Sequence, residues 1–246
     1  MKQGSIVALI CVMFLLAPII HAEDTIIIKM PFAFQDKFQE DYPQLGFPKG
    51  KVLQLGFLVT DSGSPITQVT AKNLNSGVVL APSPMKVGVW SGLYMVDPMP
   101  PFNPSKHLGV WEFQVKDEQG NEAVAKTHKL DDFGELPYIN GIKATGKPLS
   151  PLISWSAIDE TNIPENIYIR YQVRLVKDIK NQLHKSEQIT ETKYQVPENL
   201  IKNEDLSKIY IRVDTLGYDK TDSEHSVPFE VSSRSLMPLK EALGEK

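Results

Sequence analysis

The sequence is poor in cysteine, in long apolar runs and in excess charge of either sign. Its one cysteine is Cys11, so no internal disulfide forms. Cys11 also falls in a segment read below as a leader, which leaves the mature chain without a thiolate nucleophile or a cysteine-built zinc site. The one long apolar run, Ile6 to Ile20, is interrupted only by Pro18 and has fifteen residues, whereas a spanning helix takes about 20. The balance of 26 basic to 30 acidic side chains is mildly acidic. It argues against nucleic acid or an anionic membrane surface as partner. With 41% hydrophobic and 23% charged residues, and with 18 prolines and 15 glycines dispersed, the composition is globular. It excludes disordered, collagen-like and polytopic membrane chains.

Catalytic signatures are missing as well. The sequence has no Gly-x-Ser-x-Gly elbow, no His-Glu-x-x-His, no phosphate loop and no dinucleotide glycine fingerprint. His107, His128, His184 and His225 are isolated from one another, and they read as solvated surface residues. Asp61-Ser62-Gly63 matches the aspartic-protease triplet, but that chemistry needs two copies to meet, and one copy reads as a β-turn. No pair of carboxylates stands out for glycoside hydrolysis. The expectation is a protein that is not an enzyme. Asn103-Pro104-Ser105 is blocked as a glycosylation site by its proline.

Lys2, the apolar run, the small residue in Ile20-His21-Ala22 and the acidic pair Glu23-Asp24 have the layout of a secretory signal peptide over residues 1–22. An uncleaved anchor is the competing reading, and a lipoprotein reading of Cys11 lacks the small residue before the cysteine. No second hydrophobic span follows, so no membrane span is expected after cleavage. A secreted chain without cysteine points to a bacterium, in the periplasm or at the cell surface.

The remaining chain reads as all-β. Val52 to Thr60 is a strand, the turn Asp61-Ser62-Gly63-Ser64-Pro65 ends it, and Ile66 to Lys72 follow. In Val110 to Lys116, Trp111, Phe113 and Val115 point one way and Glu112, Gln114 and Lys116 the other. A turn at Asp117-Glu118-Gln119-Gly120-Asn121 leads to a last strand, Ala123 to Leu130. This Trp-x-Phe-x-Val strand, Asp-x-x-Gly-Asn turn and closing strand resemble the final hairpin of bacterial immunoglobulin-like repeats over residues 50–130. In the second half, Ile153 and Trp155 alternate with serines. Ile167, Ile169, Tyr171, Val173 and Leu175 alternate with Tyr168, Arg170, Gln172 and Arg174. Tyr194 and Val196 precede Leu200, Ile209, Ile211 and Val213 alternate with Tyr210, Arg212 and Asp214, and Val227, Phe229 and Val231 close the set. Residues 137–232 resemble a fibronectin type III domain, with Ile209 in the slot where that family has an inward tyrosine. The resemblances imply two tandem antiparallel β-sandwiches: immunoglobulin-like over 23–132, a linker at 133–136, and fibronectin-III-like over 137–232. In the tail, 233–246, Leu236, Leu239 and Leu243 share a helical face between a serine start and a glycine stop, and a short helix or a frayed end both fit.

Two apolar connections and one strand face are the candidate binding elements. Met30 to Phe47 carries Phe32, Phe34, Phe38, Tyr42 and Phe47. Phe34, Phe38 and Tyr42 fall four apart, so a short helix would present all three on one face. The proline-rich stretch Tyr94 to His107 holds Met95, Met99 and Phe102. Aromatic and methionine side chains on a stiff loop suit a contact surface, and equally suit plugging the open end of a sandwich. Tyr168, Arg170, Gln172 and Arg174 form a strand face suited to protein or glycan contact, or an ordinary solvated face. Asp131, Asp132 and Glu135 at the junction are calcium candidates against a reading as solvated loop acids. No other cofactor is expected. The function expected is a non-catalytic binding or scaffold protein of the envelope or surface, with a protein or glycan partner. The alternatives are a carbohydrate-active enzyme or its accessory module, and a β-strand-exchanging assembly partner.

Overall fold

The computed structural model describes residues 26–39, 42–87, 90–178, 181–220 and 231–244. The expected leader, His225, Val227 and Phe229 lie outside the described residues. Fifteen strands follow in chain order: β1 Ile27–Phe38, β2 Gly50–Asp61, β3 Ile66–Asn73, β4 Val79–Leu80, β5 Ser83–Val87, β6 Trp90–Met95, β7 Gly109–Asp117, β8 Glu122–Leu130, β9 Lys143–Lys147, β10 Ser150–Ser154, β11 Ile167–Val176, β12 Gln182–Lys185, β13 Lys193–Gln195, β14 Tyr210–Asp219 and β15 Val231–Pro238. The α-helices are single turns, α1 Pro104–His107 and α2 Leu239–Ala242.

The alternating runs fold as strands with one face buried. Trp111, Phe113 and Val115 of β7 are fully buried and pack with Leu53, Leu55 and Phe57 of β2 and Ala71 of β3. The Phe57 and Phe113 rings lie 4.7 Å apart. This core joins the sheet β4-β3-β7-β8 to the strands β1, β2, β6 and β5. A second core holds Ile153 and Trp155 against Tyr171, Val173 and Leu175 of β11 and Ile211 and Val213 of β14. It joins the sheet β13-β10-β9 to β12, β11, β14 and β15. The chain is thus all-β, with sheets packed face to face.

The two halves share a sheet. Its eight strands run β12-β11-β14-β15-β1-β2-β6-β5, and the seam is a parallel pairing of β1 with β15, Gln35 to Val231 through Phe38 to Arg234. The expected antiparallel pattern holds for the other described pairs and fails at this seam. The expected linker, 133–136, belongs to a segment strapped across the shared sheet. Leu136 is buried, Gln35 Nε2 donates to Gly134 O at 2.7 Å, and Ser233 Oγ donates to Pro137 O at 2.7 Å. Ile139 N–H donates to Ser235 Oγ at 2.7 Å.

Two local expectations are corrected. Most of the Met30–Phe47 segment is strand rather than loop or helix, because Phe34 and Phe38 lie on β1. A spacing of four is even, so it keeps two side chains on one face of a strand as well as of a helix. Where Pro31 cannot donate to a ladder, the β1–β2 register shifts, and Met30 takes φ 49°. The tail likewise stays extended through Pro238, since Ser235, Leu236 and Met237 pair with Val213, Arg212 and Ile211. Only Leu239–Ala242 turns helical, and buried Leu239 and Ala242 join the second core.

Candidate functional site: a buried charge row beneath an aromatic loop

The face of the shared sheet opposite the two cores carries a row of charged side chains across five strands. Directly paired positions place Lys185 of β12 beside Arg174 of β11 and Arg174 beside Arg212 of β14. One rung along, Asp214 of β14 lies beside Arg234 of β15, and a rung further Asp36 of β1 lies beside Ser232. Arg212 grips Asp214 with two bonds, Nε to Oδ1 at 2.7 Å and Nη2 to Oδ2 at 2.9 Å. Arg174 Nε lies 2.8 Å from Asp214 Oδ2, and Arg234 Nη1 lies 3.3 Å from the same oxygen. Arg234 Nε and Gln54 Nε2 donate to Asp36 Oδ2, and Ser232 Oγ donates to Asp36 Oδ1 at 2.6 Å. Asp36 and Asp214 are fully buried, and Arg212 and Arg234 are each 5% exposed.

Electrostatics follow from that geometry. Burial raises the Asp214 carboxyl, but Arg212, Arg234 and Arg174 reverse this and hold it well below the ordinary carboxylate range. Burial and Arg212 push the Arg174 guanidinium down to about 9, against the pull of Asp214.

The two sets of candidates meet here. Phe38 stacks on Phe47 at 5.3 Å, the Arg234 guanidinium lies 5.1 Å from the Phe38 ring centre, and that of Arg212 lies 5.5 Å from Phe47. Tyr42 meets Tyr210 edge-on at 5.4 Å. Leu45, Val52, Val176 and Leu236 complete this cluster, with Met99 packed against it. Phe34 and Phe38 are 5% and 1% exposed, so neither offers a contact surface. Met95 and Phe102 are half-buried. The proline-rich stretch holds onto β2 through its backbone: Leu53 N–H donates to Pro100 O at 2.9 Å, and Phe102 N–H to Lys51 O at 2.9 Å. Arg174 belongs to the row, with a side chain 18% exposed. Tyr168 and Arg170 lie at the far end of the same face. Tyr168 is 37% exposed and stacks on Tyr218 at 5.0 Å, while the Arg170 guanidinium lies 5.6 Å from the Tyr168 ring centre. Tyr218 donates to Gln188 Oε1. The sequence pattern missed Lys185, Asp36, Asp214 and Arg234 as one group, because they are distant in the chain and only sheet pairing aligns them.

The three junction carboxylates do not converge. Asp131 pairs with Lys129, Asp132 Oδ1 accepts the Gly134 N–H at 3.1 Å, and Glu135 bridges Lys37 and Lys51 at 3.1 and 2.7 Å. Among the described residues no three His, Cys, Asp or Glu side chains form a group that could hold a metal ion. A cavity of about 450 Å³ beside Glu135 is lined by Lys37, Gln39, Lys51, Tyr138 and Asn140, with its lysines matched by Glu135. The described histidines depart from the solvated reading. His107 is 5% exposed, its Nδ1 accepts the Asn103 N–H at 3.1 Å, and burial with Lys106 lowers its pKa. His128 and His184 are half-buried, and His184 Nε2 lies 2.7 Å from the Tyr194 hydroxyl.

No protein-family model matches the chain, and no curated protein matches it. Among solved structures, it is similar to a run of domains from titin at 12% identity and TM-score 0.28, over 87% of this chain and 66% of that one. It is also similar to a DUF4785 family protein from Legionella pneumophila at 10% identity and TM-score 0.24, over 76% of this chain and 53% of that one. The chain thus spans less than two thirds of either structure. No helix among the described residues is long and apolar enough to cross a membrane.

Proposed function

We propose that this is a non-catalytic binding and scaffold protein of the bacterial envelope or cell surface, which recognises a protein or glycan through the open end of the β11 face. The observation that carries the reading is the disposition of the candidate side chains. The aromatic loop, Met99 and the middle of the Tyr/Arg face are spent on one another, while Tyr168 and Arg170 stay accessible. The stacking of Tyr168 on Tyr218 and of Arg170 over Tyr168 limits the rotamers that binding would otherwise have to freeze. A sheet continuous through both sandwiches holds that surface rigidly. The immunoglobulin-like and fibronectin-III-like characters of the two sandwiches belong to the same proposal, and so does export behind a cleaved leader.

The test is a capture experiment from bacterial envelope extract, with the parent protein beside a Tyr168→Ala, Arg170→Glu variant of equal melting temperature. A partner held by the parent and lost by the variant supports the reading. An identical partner list from both baits overturns this surface as the recognition site. Turnover of a glycan, abolished by changing one carboxylate, would overturn the non-catalytic assignment.

A further inference from the structure

Three basic side chains stand side by side on one rung of the shared sheet: Lys185, Arg174 and Arg212 occupy directly paired positions on β12, β11 and β14. Like charges placed directly opposite one another destabilise a sheet. The carboxylates within reach do not balance them. In the row, Arg174, Arg212 and Arg234 face Asp36 and Asp214, three cations against two anions, and Lys185 adds a fourth cation at the rim. Lys185 is exposed on the short edge strand, and among the described residues its ammonium has no hydrogen bond or ion pair. Arg174 is already oriented, with Nη1 donating to Gln182 Oε1 at 2.7 Å and Nη2 to Gln172 Oε1 at 2.9 Å.

We propose that the rim of the row, at Lys185 and Arg174 between the carboxamides of Gln182 and Gln172, is a binding site for an oxyanion, the phosphate or carboxylate group of a ligand. Such a group would supply the missing negative charge, and Lys185 would bind it as a free cation beside a pre-set guanidinium. Partial burial of the Lys185 stem lowers its pKa first, and the neighbouring Arg174 adds to this against the pull of Asp214. The inference rests on the reading of this strand face as a binding surface, and it names the chemistry recognised there.

Thermal melts of the full protein test it with sodium phosphate in one arm and oligogalacturonate in another, each against sodium chloride at equal ionic strength. The parent, Lys185→Gln and Lys185→Glu are compared. Because phosphate stabilises proteins generally, the quantity that counts is the difference between parent and Lys185→Gln. The expected result is a saturable extra rise in Tm of about 2–4 °C for the parent in at least one arm, and the responding arm tells phosphate from carboxylate. Lys185→Glu, which places a carboxylate opposite Arg174, should melt above Lys185→Gln without added anion and respond to neither arm. Equal rises in parent and Lys185→Gln in both arms would overturn the site, as would a Lys185→Glu protein no more stable than Lys185→Gln. Failure here with a partner still lost in the Tyr168→Ala, Arg170→Glu capture would remove the oxyanion alone and leave the binding surface standing.

Discussion

Asp214 takes three guanidiniums on two oxygens in a place with no exposure to water, and the unequal count of charges around it makes the row's members unequal. Removing Asp214 leaves three guanidiniums, two of them buried, against Asp36 alone, so Asp214→Asn should cost about 3–5 kcal/mol, the range for breaking a buried pair. Arg174→Met should cost clearly less, because it removes the cation in excess. Urea melts of the two variants check the order, and equal losses would contradict the charge count. The carboxyl has a depressed pKa in the folded state, so its contribution is present above the unfolded aspartate value, about 3.9. That contribution drains away as pH falls from there toward the lower folded value. The parent should therefore lose more stability between pH 5 and pH 3 than Asp214→Asn does. The burial of the row was not legible from the strand pattern, in which Arg174, Arg212 and Asp214 read as outward residues of a contact face or of a solvated one. Alternation tells which side chains share a face, and whether that face meets water depends on what is laid over it.

At the scale of elements, what lies over it is the segment after β1. Phe47 and Phe38 form the lid of the row, so Phe47→Ala should cost about 3–5 kcal/mol in a denaturant titration, through lost packing and water admitted to the ion pairs. Met99 and Phe102 lie on a stretch that pairs with β2 and packs inward. A Met99→Asp, Phe102→Asp protein should melt well below the parent. A lost partner in that variant would then report unfolding rather than a binding loop. Pattern reading located β2, β3, β7, β8, β11 and β14, whose alternation or turn residues are strong. It missed β1 as a strand, because its apolar residues run Phe-Ala-Phe and then Phe38 around buried Asp36, without a clean period of two. It also ended the second module too early, inside β15, where four polar residues, Ser232 to Ser235, are buried and the first three pair on both sides. The sheet's outer strand β12 is four residues long and carries Lys185, and β8, at the edge of the second sheet, carries Lys126 and Lys129. Short or lysine-bearing edges discourage pairing with another chain.

Across the whole molecule, β1 lies between β15 and β2 and takes hydrogen bonds from strands of both halves. The shared sheet is completed only when the last strand pairs with the first, so unfolding should be one cooperative transition by calorimetry. Fragments 26–136 and 137–244 made separately should lack the dispersed amide spectrum of the whole chain, since each opens a sheet edge at β1 or β15 and parts Asp36 from Arg234. Two separately folded fragments would show the seam to be dispensable. The sequence alone determined that the chain is all-β, where most strands run, and which side chains fill the two cores, because those properties depend on local alternation and turn chemistry. Only the tertiary structure decided that the sandwiches share a sheet, that their apolar loops and arginine face cover one another, and that three cations share a rung. Those depend on pairings between residues as far apart as Asp36 and Arg234, and a one-dimensional period carries no information about which distant strand will lie alongside.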